Sequence, residues 1–105
     1  MGLGILADGK WISEREQEDN QGKFIRPSTT FRNKITADGS SGFKAEAGRY
    51  HLYISWACPW AHRTAIMRRL KGLEDAIGLS VVAAEIDQNS WEFSSEPGAI
   101  PDTVN

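Results

Sequence analysis

A chain of 105 residues is long enough for one small domain and far too short for two. Its formal net charge of −2 and isoelectric point near 5.6 argue against a nucleic-acid or anionic-membrane binder, and no apolar run approaches the roughly 20 residues of a membrane span. One cysteine rules out an internal disulfide and leaves a thiol free for chemistry in a reducing compartment. Met1 to Lys10 has neither the basic start nor the apolar length of a signal peptide, and no Ser or Thr stands at the sixth position, where a myristoylation signal needs one. The expectation is a soluble, cytoplasmic protein.

Residues 1–48 are polar, glycine-rich and without sustained periodicity, and are expected to form an irregular N-terminal arm. The charge run Glu14-Arg15-Glu16-Gln17-Glu18-Asp19-Asn20 reads as a solvated loop. Phe24-Ile25-Arg26-Pro27 and Phe31-Arg32-Asn33 set apolar anchors beside arginines, the pattern of an arm laid across a domain surface. Arg26 and Arg32 fit either exposed solubilising charge or contacts to an acidic group. Asp38-Gly39-Ser40-Ser41-Gly42-Phe43 is a strong turn signal.

From Arg49 the texture changes. Arg49 to Ile54 is short, aromatic and aliphatic and predicts a strand that places Tyr50 and Tyr53 in the core. Ser55-Trp56-Ala57 is the connection, and Pro59 to about Lys71 predicts a helix with Ala61, Ala65, Ile66 and Leu70 on one face. Arg68, Arg69 and Lys71 suit the negative end of that helix, and Gly72 is placed to stop it. Leu79 to Ile86 is mostly apolar without alternation, as for a strand buried on both faces. The tail from Asp87, with Pro97, Gly98 and Pro101, reads as loop.

Strand, helix and strand make a βαβ unit with a right-handed crossover, so the fold class is α/β, preceded by the arm. Two strands and one helix bury too little apolar surface to offset chain entropy. The chain is therefore expected to be the opening part of a larger fold or to depend on a partner.

Cys58 stands where strand hands over to helix. Pro59 suits the first helical position, because its missing N–H leaves nothing unpaired. That puts Cys58 at the N-cap, facing free amides and the positive end of the helix dipole, a setting that favours thiolate. Three readings compete for it. As a small buried hydrophobe it needs no function. As a metal ligand it has His62 one turn later, but no cluster completes four ligands. As a nucleophile it sits in a Cys-Pro-Trp-Ala run that resembles a redox Cys-x-x-Cys motif with Ala61 in place of the second cysteine. A mixed disulfide there has no internal resolving thiol, so an external one such as glutathione must release it.

The run Arg49-Tyr50-His51-Leu52-Tyr53-Ile54-Ser55-Trp56-Ala57-Cys58-Pro59-Trp60-Ala61-His62-Arg63-Thr64, followed by Lys71-Gly72-Leu73-Glu74, resembles the N-terminal part of glutathionyl-hydroquinone reductases, the Xi-class, omega-like glutathione transferases. Phe31-Arg32-Asn33 and Thr36-Ala37-Asp38-Gly39-Ser40-Ser41-Gly42-Phe43 resemble their N-terminal extension, and Gly22-Lys23-Phe24-Ile25-Arg26 does so more loosely. The resemblance implies a thioredoxin-like domain, here partial over residues 49–105, followed in the family by an all-helical domain that this sequence lacks. It implies no bound cofactor, with glutathione as co-substrate, glutathionylated quinone-type molecules as substrates, and a homodimer built through the helical domain.

Cys58 is then the catalytic nucleophile and Trp91, in Asn89-Ser90-Trp91-Glu92-Phe93, the tryptophan that contacts glutathione; otherwise Trp91 anchors a loop. Trp56 and Trp60 read as packing, and His62 as an orienting or packing residue, with a general base the weaker option. The family's cis-proline Val-Pro segment, its Glu-Ser pair at a later helix start, and the quinone pocket, catalytic tyrosine and dimer contacts of the helical domain have no counterpart in these residues. A non-catalytic interaction module and an omega-like thioltransferase or dehydroascorbate reductase are the alternative readings.

Overall fold

The computed structural model describes residues 5–12, 28–87 and 90–105. The Glu14–Asn20 charge run and the Gly22–Pro27 stretch with Arg26 lie outside the described residues. β1 (Ile5–Ala7) turns back as β2 (Lys10–Ile12) in an antiparallel hairpin. Asp8 (φ 50) and Gly9 (φ 75) both take left-handed backbone, the requirement of a two-residue turn whose twist matches its strands. This hairpin departs from the irregular arm expected there, and the Asp-Gly pair is its local cause. Farther on, the expected turn forms between Thr36 and Lys44. Thr36 N–H donates to Phe43 O at 2.9 Å and Thr36 O accepts from Ala45 N–H at 2.9 Å. Asp38 accepts the Ser40 N–H at 3.0 Å, and that bond holds its carboxyl below the usual carboxylate range. Phe31 is 89 % exposed, so it does not anchor the arm as expected.

β3 (Tyr50–Ile54) and β4 (Ile77–Val81) pair in parallel, with Tyr50 opposite Ile77 and Ile54 opposite Val81. β4 starts earlier than expected and stops at Val81. Ala83 and Ala84 leave the sheet because their N–H groups find other acceptors, the Glu92 carbonyl at 2.8 Å and the Glu96 carboxylate at 2.7 Å. Ile100 pairs with the far edge of β4 through two 2.9 Å bonds to Val81. No strand among the described residues pairs with the outer edge of β3.

Between them runs α1 (Pro59–Leu70). Its C-terminal end closes with Leu73 N–H on Arg68 O at 2.9 Å and Gly72 N–H on Arg69 O at 3.1 Å. Gly72 at φ 64 supplies the left-handed residue that this pair of bonds requires. Arg68 is more than a dipole cation. Its guanidinium donates to Ile77 O at 2.7 Å and Glu74 O at 3.0 Å, fastening the helix end to the start of β4.

The core is small. Among the described residues the buried apolar side chains are Ile54 and Val81, with Ser55 and Ser80 buried beside them. The expected helix face is corrected: Ile66 and Leu70 are exposed, and the half-buried set is Ala61, Ala65 and Arg68, which keeps helical spacing but faces a thin sheet. Tyr53, expected in the core, is 42 % exposed. A groove of about 470 Å³ runs between α1 and β3, lined by Leu52, Thr64, Met67 and Ile77 among others. Among the described residues no helix is long and apolar enough to cross a membrane.

Candidate active site

The carboxyl ends of β3 and β4 lie side by side, and in parallel α/β folds chemistry collects there. Ile54 ends β3 deep in the core and accepts Val82 N–H at 2.9 Å. Ser55, the next residue, is 3 % exposed. Its hydroxyl donates to Ala83 O at 3.2 Å and accepts Ala57 N–H at 3.2 Å. Cys58 N–H then donates to Ser55 O at 3.1 Å. A buried serine thus folds the tight turn that delivers Cys58 to the helix start.

Cys58 is the N-cap of α1, in extended backbone (φ −89, ψ 111), with Pro59 in the first turn. Its carbonyl accepts His62 N–H at 3.2 Å. Its side chain caps no backbone amide, and the thiol is half-buried and free. The first turn holds no acidic residue, so no carboxylate there opposes negative charge on sulfur. Among the described residues no group of three or more His, Cys, Asp or Glu side chains is arranged to hold a metal ion.

Trp91 stands on the segment that Ala83 holds. Ala83 uses both of its peptide groups: its carbonyl takes the Ser55 hydroxyl and its N–H goes to Glu92 O. The Cys58 turn and the Trp91 segment are therefore one residue apart through Ala83. Trp91 is half-buried, and its Nε1 is a buried donor without a partner. Such a group is destabilising by about 1–3 kcal/mol unless something accepts from it. No hydrogen bond or ring contact joins Cys58 and Trp91 directly among the described residues.

Several residues of this site carry no chemical signal in the sequence. Ser55 and Glu96 matter through side-chain bonds to backbone groups, and Ala83 and Gly98 through their own backbone. Trp56, read as packing, donates its Nε1–H to Gly98 O at 3.2 Å and meets the His62 ring edge-on, centroids 5.9 Å apart. His62 in turn donates Nε2–H to Trp56 O at 3.0 Å. Farther down the sheet, Ser80 is fully buried and donates to Pro101 O at 2.9 Å. With its only hydrogen so used, its contact to His51 Nε2 at 2.8 Å requires the imidazole hydrogen to sit on Nε2. Arg32, weighed for an acidic group, is exposed.

Solved structures similar to this chain include glutathione transferases of the Xi class. The Xi-class enzyme of Natrialba magadii superposes with a TM-score of 0.79 at 45 % identity, over 98 % of this chain and 30 % of that one. The glutathione-bound YqjG of Escherichia coli does so with a TM-score of 0.66 at 57 % identity, over 70 % and 26 %. The fold is thus part of a thioredoxin-like glutathione transferase N-terminal domain.

No family model matches the chain. The glutathionyl-hydroquinone reductase YqjG of Escherichia coli is 50 % identical over 97 % of this chain and 34 % of its own length. PcpF of Sphingobium chlorophenolicum, of the same name, is 42 % identical over 98 % and 32 %. Over nearly its whole length the chain is similar to the N-terminal segment of glutathionyl-hydroquinone reductases. It spans about a third of the length of the curated relatives it matches.

Proposed function

We propose that this chain carries the nucleophile of a glutathione-dependent reduction of glutathionyl-hydroquinones, and that the nucleophile is Cys58. The observation that carries the reading is a lone thiol at the N-cap of α1 in a chain half identical to a glutathionyl-hydroquinone reductase. Cys58 thiolate attacks the glutathionyl sulfur, forming an S–S bond as the carbon–sulfur bond to the ring breaks. The bonding pair stays on the ring carbon, which takes a proton and leaves as hydroquinone. A second glutathione thiolate then attacks the mixed disulfide, frees Cys58 and departs as oxidised glutathione. The two electrons that reduce the ring carbon are those lost by the two glutathione sulfurs, which end joined in the disulfide, and Cys58 is regenerated. Cys58 stands at the N-cap of α1 in both steps, as the attacking sulfur in the first and the leaving sulfur in the second.

Trp91 is assigned to glutathione. Its orphan Nε1–H is a donor awaiting an acceptor of the kind that glutathione's carboxylates and carbonyls supply. In this reading the enzyme works in a reducing compartment such as the cytoplasm, where glutathione is available.

The test incubates the chain with a glutathionyl-hydroquinone and follows intact mass and released hydroquinone. The expected result is one glutathionyl group on Cys58, removed by added glutathione, and neither product with Cys58→Ser. Hydroquinone release that survives Cys58→Ser refutes the assignment. Labelling by glutathione disulfide but not by the hydroquinone conjugate favours the thioltransferase reading.

A further inference from the structure

We propose that His62 is a positioning residue for Cys58, acting through the Trp56 carbonyl; the proposal rests on Cys58 being the nucleophile. The turn from Ser55 to Cys58 is pinned at its start by the buried Ser55 hydroxyl. Its middle is different. Trp56 and Ala57 are exposed, and the Trp56 carbonyl belongs to the peptide plane two bonds before Cys58. That plane is held on its N–H side by the Ser55 hydroxyl at 3.2 Å, and its carbonyl side is where a second restraint can act.

His62 supplies the restraint. It lies one helical turn beyond Cys58, bonded to the Cys58 carbonyl through its own N–H at 3.2 Å. Its ring folds back so that Nε2 meets Trp56 O at 3.0 Å. A carbonyl only accepts, so Nε2 carries the hydrogen. The ring also stands perpendicular to the Trp56 indole, whose Nε1–H is anchored on Gly98 O at 3.2 Å. Gly98 belongs to a tight turn closed by Ala99 N–H on Glu96 O at 3.1 Å, and the Glu96 carboxylate holds Ala84 N–H. One line of bonds therefore runs from α1 through the Cys58 turn to the loop after β4. The brace fixes the backbone from which the Cys58 side chain projects at the start of α1.

The test compares three variants of the full chain by the rate of Cys58 alkylation with iodoacetamide across the neutral to alkaline range, with far-UV circular dichroism as a check on folding. His62→Gln keeps an N–H donor at about the reach of Nε2. His62→Asn keeps the amide but is too short, and His62→Leu keeps bulk without a donor. The neutral-pH rate is expected to fall about fivefold in His62→Asn and His62→Leu, the scale of one net hydrogen bond, and to stay within about twofold of the unmodified chain in His62→Gln. Equal rates for the Gln and Asn variants overturn the proposal, even if the Leu variant fails to fold. An unmodified chain whose Cys58 reacts no faster at neutral pH than free glutathione refutes the nucleophile reading instead, while the Gln-to-Asn ratio still decides the role of His62.

Discussion

Gly78 faces His51 across the parallel pair of β3 and β4, and a Cβ there would stand 2.5 Å from His51 Nδ1 and 2.9 Å from Cε1. Gly78→Ala therefore has two opposed effects. Replacing glycine inside a strand stabilises by about 0.5–1 kcal/mol through the unfolded state. Against that, the imidazole must move. It is pinned by Ser80 at 2.8 Å and leans on the Tyr53 ring at 4.8 Å. Losing the bond to a buried hydroxyl costs about 1–3 kcal/mol, and an off-rotamer ring adds roughly 0.5–1.5 kcal/mol. The net expectation is destabilisation by about 1–3 kcal/mol. In a His51→Ala background the obstacle is gone, and Gly78→Ala should become neutral or stabilising by about 0.5 kcal/mol. Urea unfolding of the four chains of this cycle, followed by circular dichroism, measures the coupling directly. A Gly78→Ala chain as stable as the parent, or an equal loss with and without the ring, would refute the reasoning.

Ser55→Ala removes a buried hydroxyl that serves Ala83 O and Ala57 N–H. It should destabilise by about 1–3 kcal/mol and loosen the Cys58 turn, read as faster amide exchange at Ala57. Gly72→Ala forces a Cβ into left-handed backbone at φ 64 and should cost about 1 kcal/mol, with Gly72→Asn milder in the same unfolding assay. The Asp102 carboxyl lies below the usual carboxylate range, chiefly because Val104 N–H donates to it, with Asn105 and the Tyr53 hydroxyl adding to the effect. A carboxylate lowered by folding contributes stability above its unfolded value of about 3.9 and loses it as pH falls through the lower folded value. Amide exchange at Val104 should accelerate in that acid window and become pH-independent there in Asp102→Asn once intrinsic exchange is divided out. The loss of solvent around the hydroxyl, with the Asp102 carboxylate adding to it, raises the Tyr53 phenol above its ordinary range.

Much of the backbone near the site was legible because its signals are local. Pro59 after Cys58 marked the start of α1, and Gly72 marked its end, since a missing N–H and a left-handed φ are properties of single residues. The Asp-Gly pair at residues 8 and 9 was equally local, yet strands of three residues give too little pattern to support it. The end of β4 was not legible. Ala83 and Ala84 look like strand, and only the acceptors offered by Glu92 and Glu96 draw them out of the sheet. Nor was the helix face. Ile66 and Leu70 satisfy the i, i+4 rule, but a two-stranded sheet is too narrow to cover them.

The sequence alone marked where the thiol sits. Cys58 directly before Pro59, with Ala61 where a Cys-x-x-Cys motif has its second cysteine, marks a helix start, and the residues around it carry the resemblance to the reductases. Tertiary structure decided how that thiol is held. Ser55 reaches Ala83, His62 reaches back to the turn that precedes its own helix, and Trp56 reaches Gly98, contacts whose partners lie 28, 6 and 42 residues apart. Directional bonds from a side chain to a backbone carbonyl leave no mark in composition or spacing, so the fold alone brings them into reach.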